Sequence, residues 1–286
     1  MNIIESLKGD LDQKFPNSGF QFTYAFGNNV VSVAKEFILP LVRHFKATRR
    51  FDFLMQVAGA DFPERERRFE IAYEFFSSKD SRRCRLKTQV GEHETIDSVI
   101  SVWKCADWFE REIFDMYGVQ FSGHPNLRRI LTHHQFVGHP LRKDYPADRQ
   151  QHCTEALPIH FDYDPRFENE EERELVPLNI GPSHPATHGT LRVMVALDGE
   201  KVHRAGVELG YLHRCFEKMA ETHPYNQVIP YTDRLNYCSA PMNNVGYCKA
   251  VEKMLEVEIP PRAQAMRIIL AELSRVIDHL VCIGAN

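Results

Sequence analysis

Two side chains in the second half of the sequence have the chemistry to give a proton or a hydrogen bond to a group that gains negative charge. His188 is of the type that titrates near neutral pH, and Pro185 before it and Gly189 after it keep its backbone turned. Tyr237 carries a hydroxyl donor on an aromatic body that tolerates apolar surroundings, and it follows the turn-like run Asp233-Arg234-Leu235-Asn236. Spacing alone leaves two readings open: proton donors at a site, or a loop histidine and a packing tyrosine. His184 stands four residues before His188, a gap seen in metal sites. Pro185 disfavours the helix such a pair needs, and no nearby cysteine or carboxylate cluster completes a site. The seven cysteines, Cys84, Cys105, Cys153, Cys215, Cys238, Cys248 and Cys282, contain no Cys-x-x-Cys pair, so the spacing of a zinc or iron–sulfur site is missing.

Such residues need elements to hold them, and 286 residues suffice for about two domains. Ile3, Ile4, Leu7, Leu11 and Phe15 repeat at helical spacing. Phe20, Phe22, Tyr24 and Phe26 alternate as in a half-buried strand. An amphipathic helix is expected near 34–46, with Pro40 kinking or interrupting it. Strand-like stretches follow at 51–57, 69–76 and 84–90, and Ile96, Val99, Ile100 and Trp103 return to helical spacing. The mixture predicts an α+β fold, with a mixed α/β module over residues 1–146.

From 147 to 176 the periodicity fades into prolines and the acidic run 166–174, which predicts an extended linker. A second domain, 177–286, should open with a β-hairpin: Leu191, Val193, Val195 and Leu197 alternate up to an Asp198-Gly199 turn, and Val202 starts the return strand. A helical bundle should follow. Pro260-Pro261 suits a helix start, and Met266, Ile269, Leu270, Leu273, Val276, Ile277, Leu280 and Val281 fall on one face. That apolar face implies further helices, so the sequence reads as cut short at Asn286.

The formal net charge of -4 and the lack of a basic stripe exclude a nucleic-acid binder. Odd, scattered cysteines suit reduced thiols in a cytoplasm-facing protein. Residues 1–5 lack the pattern of a secretory signal, and no apolar run approaches the roughly 18 residues that span a bilayer. Membrane association is therefore expected to come through partners.

Two segments resemble known families. The first runs Trp108-Phe109-Glu110-Arg111-Glu112-Ile113-Phe114-Asp115-Met116-Tyr117-Gly118-Val119 and continues through Leu127-Arg128-Arg129-Ile130-Leu131-Thr132 and Gly138-His139-Pro140-Leu141-Arg142-Lys143-Asp144-Tyr145-Pro146. It resembles the signature of the C-type subunit of NADH:quinone oxidoreductase (respiratory complex I). The second, Asn179-Ile180-Gly181-Pro182-Ser183-His184-Pro185-Ala186-Thr187-His188-Gly189-Thr190-Leu191-Arg192, is followed by Gly210-Tyr211-Leu212-His213-Arg214 and Pro230-Tyr231-Thr232-Asp233-Arg234-Leu235-Asn236-Tyr237. It resembles the start of the D-type subunit of the same complex, itself related to the nickel–iron hydrogenase large subunit. The order, C module then D module, resembles the fused C/D subunit of some bacteria.

The resemblance implies a peripheral subunit on the cytoplasmic side of the bacterial inner membrane. It would be joined to other peripheral-arm and membrane-arm subunits, with no nucleic acid involved. Quinone would be the substrate, and NADH, flavin and the iron–sulfur clusters would belong to partner subunits, with no metal or cluster on this chain. His188 and Tyr237 match positions flanking the quinone head group, and Arg214 matches an arginine beside the terminal iron–sulfur cluster of a neighbouring subunit. The isolated chain is expected to be inactive, and its C module to dock partners. Three departures stand out. Cys215 replaces a usual glycine, Asn236 replaces a common aspartate and so removes a charge, and Asn236 and Ser239 occupy the two positions where hydrogenases place nickel-binding cysteines. The rival readings are a membrane-bound hydrogenase relative and an assembly module without chemistry of its own.

Overall fold

Between Phe69 and Ser77 the chain buries every second side chain: Phe69, Ile71, Tyr73 and Phe75 point inward, and Glu70, Ala72 and Glu74 lie on the other face. That period of two is the mark of a strand with one face on a core. The computed structural model describes residues 3–16, 18–25, 27–48, 51–158, 161, 175–184, 187 and 189–284, and the chain divides into two units, Met1–Leu157 and Pro158–Asn286.

The first unit runs α1 (Ile3–Lys14), β1 (Gln21–Ala25), β2 (Asn28–Ser32), α2 (Ile38–Ala47), β3 (Phe53–Asp61), β4 (Phe69–Ser77), β5 (Arg82–Val90), β6 (Thr95–Asp97), α3 (Ala106–Tyr117) and β7 (Gln120–Ser122). A five-stranded sheet has the order β1-β2-β5-β4-β3. All its pairs are antiparallel except β2 with β5, which are parallel. Leu11 of α1 and Ile38, Leu41, Val42 and Phe45 of α2 are fully buried in one core with the inward residues of β4 and β5. α3 lies on β3 at Gly59, where an added Cβ would stand 3.0 Å from the Tyr117 ring.

Two sequence expectations fail here. Pro40 interrupts nothing: Lys35–Phe37 is a separate 3-10 turn, and Pro40 is the third residue of α2, where a helical N–H has no intrahelical acceptor to lose. The helical spacing at Ile96–Trp103 is not a helix. Ile96 belongs to β6, paired in parallel with β7, and the residues after it form a single turn in which Val102 N and Trp103 N both donate to Val99 O. One tight turn and a helix bury apolar residues at the same spacing, so the pattern alone does not separate them.

The second unit runs β8 (Val176–Ile180), β9 (Arg192–Asp198), β10 (Lys201–Glu208), α4 (Phe216–Ala220), α5 (Tyr225–Thr232), α6 (Ala240–Leu255) and α7 (Pro261–Gly284). β10, β9 and β8 form an antiparallel sheet in that order. The expected hairpin is present: Asp198 pairs with Lys201 across Gly199, at φ +61°, and Glu200. β8 had no sequence signal, and it begins at Val176, the last residue assigned to the linker; the acidic run 166–174 lies outside the described residues. α6 and α7 are joined by a two-pronged ion pair, Arg267 donating to Glu252 at 2.6 and 2.9 Å. The apolar face of α7 is exposed from Met266 to Val281. Among the described residues no helix is long and apolar enough to cross a membrane.

Candidate functional site

The loop between β8 and β9 is drawn tight on both flanks of His188. Gly181 holds φ +89°, and a Cβ there would stand 2.2 Å from the Leu191 carbonyl oxygen, so only glycine fits. The Thr187 hydroxyl lies 2.7 Å from both the His184 and the Gly189 carbonyl oxygens, and His184 bridges to Gly189. His188 itself lies outside the described residues. Arg192 at the start of β9 fastens the sheet that carries this loop, donating to Asn179 of β8 at 2.6 Å and to Glu208 of β10 at 3.0 Å.

Glu208 is buried and also accepts the Tyr211 hydroxyl at 3.1 Å, which anchors the chain leaving β10. Burial, then the nearby Glu208 charge, raises the Tyr211 phenol above its ordinary range. Three residues on, Arg214 places its guanidinium 5.3 Å from the centroid of the Tyr231 ring, within cation–π range. The Tyr231 hydroxyl in turn pairs with His223 Nε2 at 3.1 Å. Cys215 adopts φ +48° and ψ +48° before α4. This left-handed backbone favours glycine, which accounts for the glycine expected there.

α5 leads directly from Tyr231 into a 3-10 turn, Asp233–Leu235, and then to Tyr237, a residue that is 55% exposed. The end of α5 is tied to α6 by the Thr232 hydroxyl, 2.8 Å from Asn244 Oδ1. The C-terminal end of α5 therefore both seats Arg214 and delivers the turn that presents Tyr237. At the two positions where the resemblance to hydrogenases would place nickel-binding cysteines, Asn236 Nδ2 donates to Ser239 Oγ at 2.7 Å. A carboxylate reaches Asn236 from α7: Asp278 Oδ2 lies 3.4 Å from Asn236 Nδ2. Sequence reasoning did not single out Asp278, because 42 residues separate it from Asn236. A groove of about 790 Å³ between α6 and α7 is lined by residues such as Lys249, Glu252, Arg267 and Ile268, and neither Arg214 nor Tyr237 is among them.

In the first unit Glu110, Arg111 and Asp115 of the charged signature lie inside the fold, while Glu112 is exposed. Glu110 is fully buried and accepts the Ser98 hydroxyl at 2.5 Å and the Val99 N–H at 2.8 Å. Burial pushes its carboxyl up to about 7. Arg111 donates to the Arg128 and Arg129 carbonyls. Asp115 accepts the N–H groups of Ile130, Leu131 and Thr132 at 2.8–3.0 Å, and Arg129 at 2.7 Å. Farther along, Arg68 joins Asp61 to Asp144, and the Lys143 N–H also donates to Asp61. Burial works against the Asp61 charge, but these donors hold its carboxyl below the usual range. Glu110 thus fastens α3 to the turn before it, and Arg111 and Asp115 fasten it to the segment that follows.

Residues 31–151 match the family described as respiratory-chain NADH dehydrogenase, 30 Kd subunit. The whole chain is 62% identical to the NADH-quinone oxidoreductase C/D subunit of Bdellovibrio bacteriovorus, covering 51% of that protein. The C/D subunit of Acidiphilium cryptum is 37% identical over 88% of this chain and 46% of its own length. The C/D subunit numbered 2 of Aquifex aeolicus is 37% identical over 89% and 47%. The chain thus spans about half the length of the curated relatives it matches. A chain in the structure of the membrane-bound sulfane sulfur reductase, an archaeal respiratory membrane complex, overlaps 50% of this chain and 85% of its own at 21% identity and a TM-score of 0.44.

Proposed function

The chain is a homologue of the NADH-quinone oxidoreductase C/D subunit along its whole length, and on that premise we propose that it serves in the peripheral arm of a proton-pumping NADH:quinone oxidoreductase, on the cytoplasmic side of a bacterial inner membrane. Its second unit forms part of the pocket where quinone takes up two electrons and two protons to become quinol. NADH, flavin and iron–sulfur clusters on neighbouring subunits deliver the electrons. This chain supplies hydrogen-bond donors to the charge that develops on the quinone oxygens.

The observation that carries this reading is the placement of Tyr237. Its phenol is exposed on a turn whose flanking Asn236 and Ser239 side chains approach Asp278 of α7, so the ring does not fill a core. His188, on the loop closed by Thr187, is the proton source on the other side of the head group. Arg214, held against Tyr231, places a fixed positive charge beside the terminal cluster of the neighbouring subunit, where it favours the reduced cluster. Asn236 and Ser239 bonded to each other support quinone chemistry over the hydrogenase alternative, since neither is a soft ligand for nickel.

The first unit docks partner subunits. Glu110, Arg111 and Asp115 of its signature are buried, while Glu112, Tyr24, Phe53 and Trp108 remain exposed for contact. The test of the pocket is Tyr237→Phe in the assembled complex, which keeps the ring and loses the hydroxyl. Quinone reduction should slow by between about tenfold and a few hundredfold. Electron transfer to an acceptor that bypasses the pocket should persist. Wild-type quinone turnover would sink the assignment of Tyr237.

A further inference from the structure

The turn that presents Tyr237 has little backbone bonding of its own. Asn236 is extended, at φ -146° and ψ 93°, and Ser239 N donates to Asn236 O at 3.2 Å. Its side chains do more. Ser239, just before α6, is 1% exposed, so its hydroxyl needs partners within the protein. It accepts Asn236 Nδ2 at 2.7 Å, and its own proton faces Asp278 Oδ2 at 3.4 Å. Asn236 Nδ2 approaches the same carboxylate oxygen at 3.4 Å. Two donors that bracket Tyr237 therefore converge on one oxygen of a carboxylate carried by α7. Both contacts are long, and a carboxylate acceptor strengthens what remains of them.

We propose that Asp278 is the positioning residue for Tyr237. By accepting from Asn236 and Ser239 it fixes the turn against α7, and so fixes where the phenol points. This rests on the reading of Tyr237 as a donor to quinone. Asp278 touches neither substrate nor phenol in this role, and acts through the two residues that flank the tyrosine.

The test uses the full-length chain in membranes carrying the assembled complex, with a short-chain ubiquinone as acceptor and a pocket-bypassing acceptor as control. Asp278→Ala should lower quinone turnover about three- to tenfold, the range of one or two modest hydrogen bonds, with bypass activity unchanged. Asp278→Asn keeps an acceptor oxygen and should stay within about twofold of wild type. The decisive measurement is the double variant: Asp278→Ala should add nothing to Tyr237→Phe, because positioning a hydroxyl that is gone has no effect. If Asp278→Ala fails to assemble, Asn236→Ala removes one donor, leaves α7 intact and carries the same expectation. Slow turnover in Tyr237→Phe with wild-type turnover in Asp278→Ala overturns the positioning role alone. Losses that multiply in the double variant overturn it as well. A silent Tyr237→Phe instead takes down the pocket reading on which the proposal rests.

Discussion

The Glu110 carboxylate on α3 holds the Ser98 hydroxyl and the Val99 N–H, and through them the turn that links β6 to α3. A carboxyl buried this deeply resists ionisation, and its pKa stands near 7 against an ordinary 4.5. The native state therefore binds more protons than the unfolded chain between those values. Glu110 contributes its full stabilisation below about pH 4.5 and loses it as pH rises through 7. The difference is on the order of 3 kcal/mol. Both tryptophans, Trp103 and Trp108, lie in the first unit, so their fluorescence reports that unit within the intact chain. Denaturation followed this way should show wild type weakening between pH 5 and pH 8 relative to Glu110→Gln. Parallel curves for the two proteins would refute it.

Gly181→Ala should loosen the loop that leads to His188. The substitution combines φ +89° with a Cβ only 2.2 Å from a backbone oxygen, and neither is relieved by moving a side chain. Strain of this kind is worth about 1–3 kcal/mol. Hydrogen exchange at β8 and β9 amides should accelerate, while α6 and α7 keep their protection. Unchanged exchange in the sheet would mean the loop is not built on this glycine.

Cys215→Gly sets two opposed effects against each other. Relieving a left-handed residue gains about 1–2 kcal/mol, and the added freedom of glycine in the unfolded chain costs roughly 0.5–1 kcal/mol. The balance favours glycine slightly. A melting temperature raised by a few degrees for the second unit is the expected result, read by calorimetry. A clear fall would show that the Cys215 thiol, 3.7 Å from His213 Nδ1, contributes more than its backbone conformation costs.

What was legible in the sequence was local. The period-two runs became β4 and β5, the Asp198-Gly199 pair became a hairpin turn, and Pro260-Pro261 marked the start of α7, because each depends on residues within one strand or one helical turn. The family signatures were equally readable, since they are contiguous. Tertiary structure alone decided the rest. It paired β2 in parallel with β5, made a turn of the helix-like spacing after Ile96, and turned Glu110 inward onto the turn before α3 and Arg111 and Asp115 onto the segment after it. It also brought Asp278 to Asn236 and Ser239. Charge on a sequence has no direction until packing assigns it a face. A carboxylate 42 residues away becomes a partner only when two helices stack so that one turn of α7 meets the start of α6.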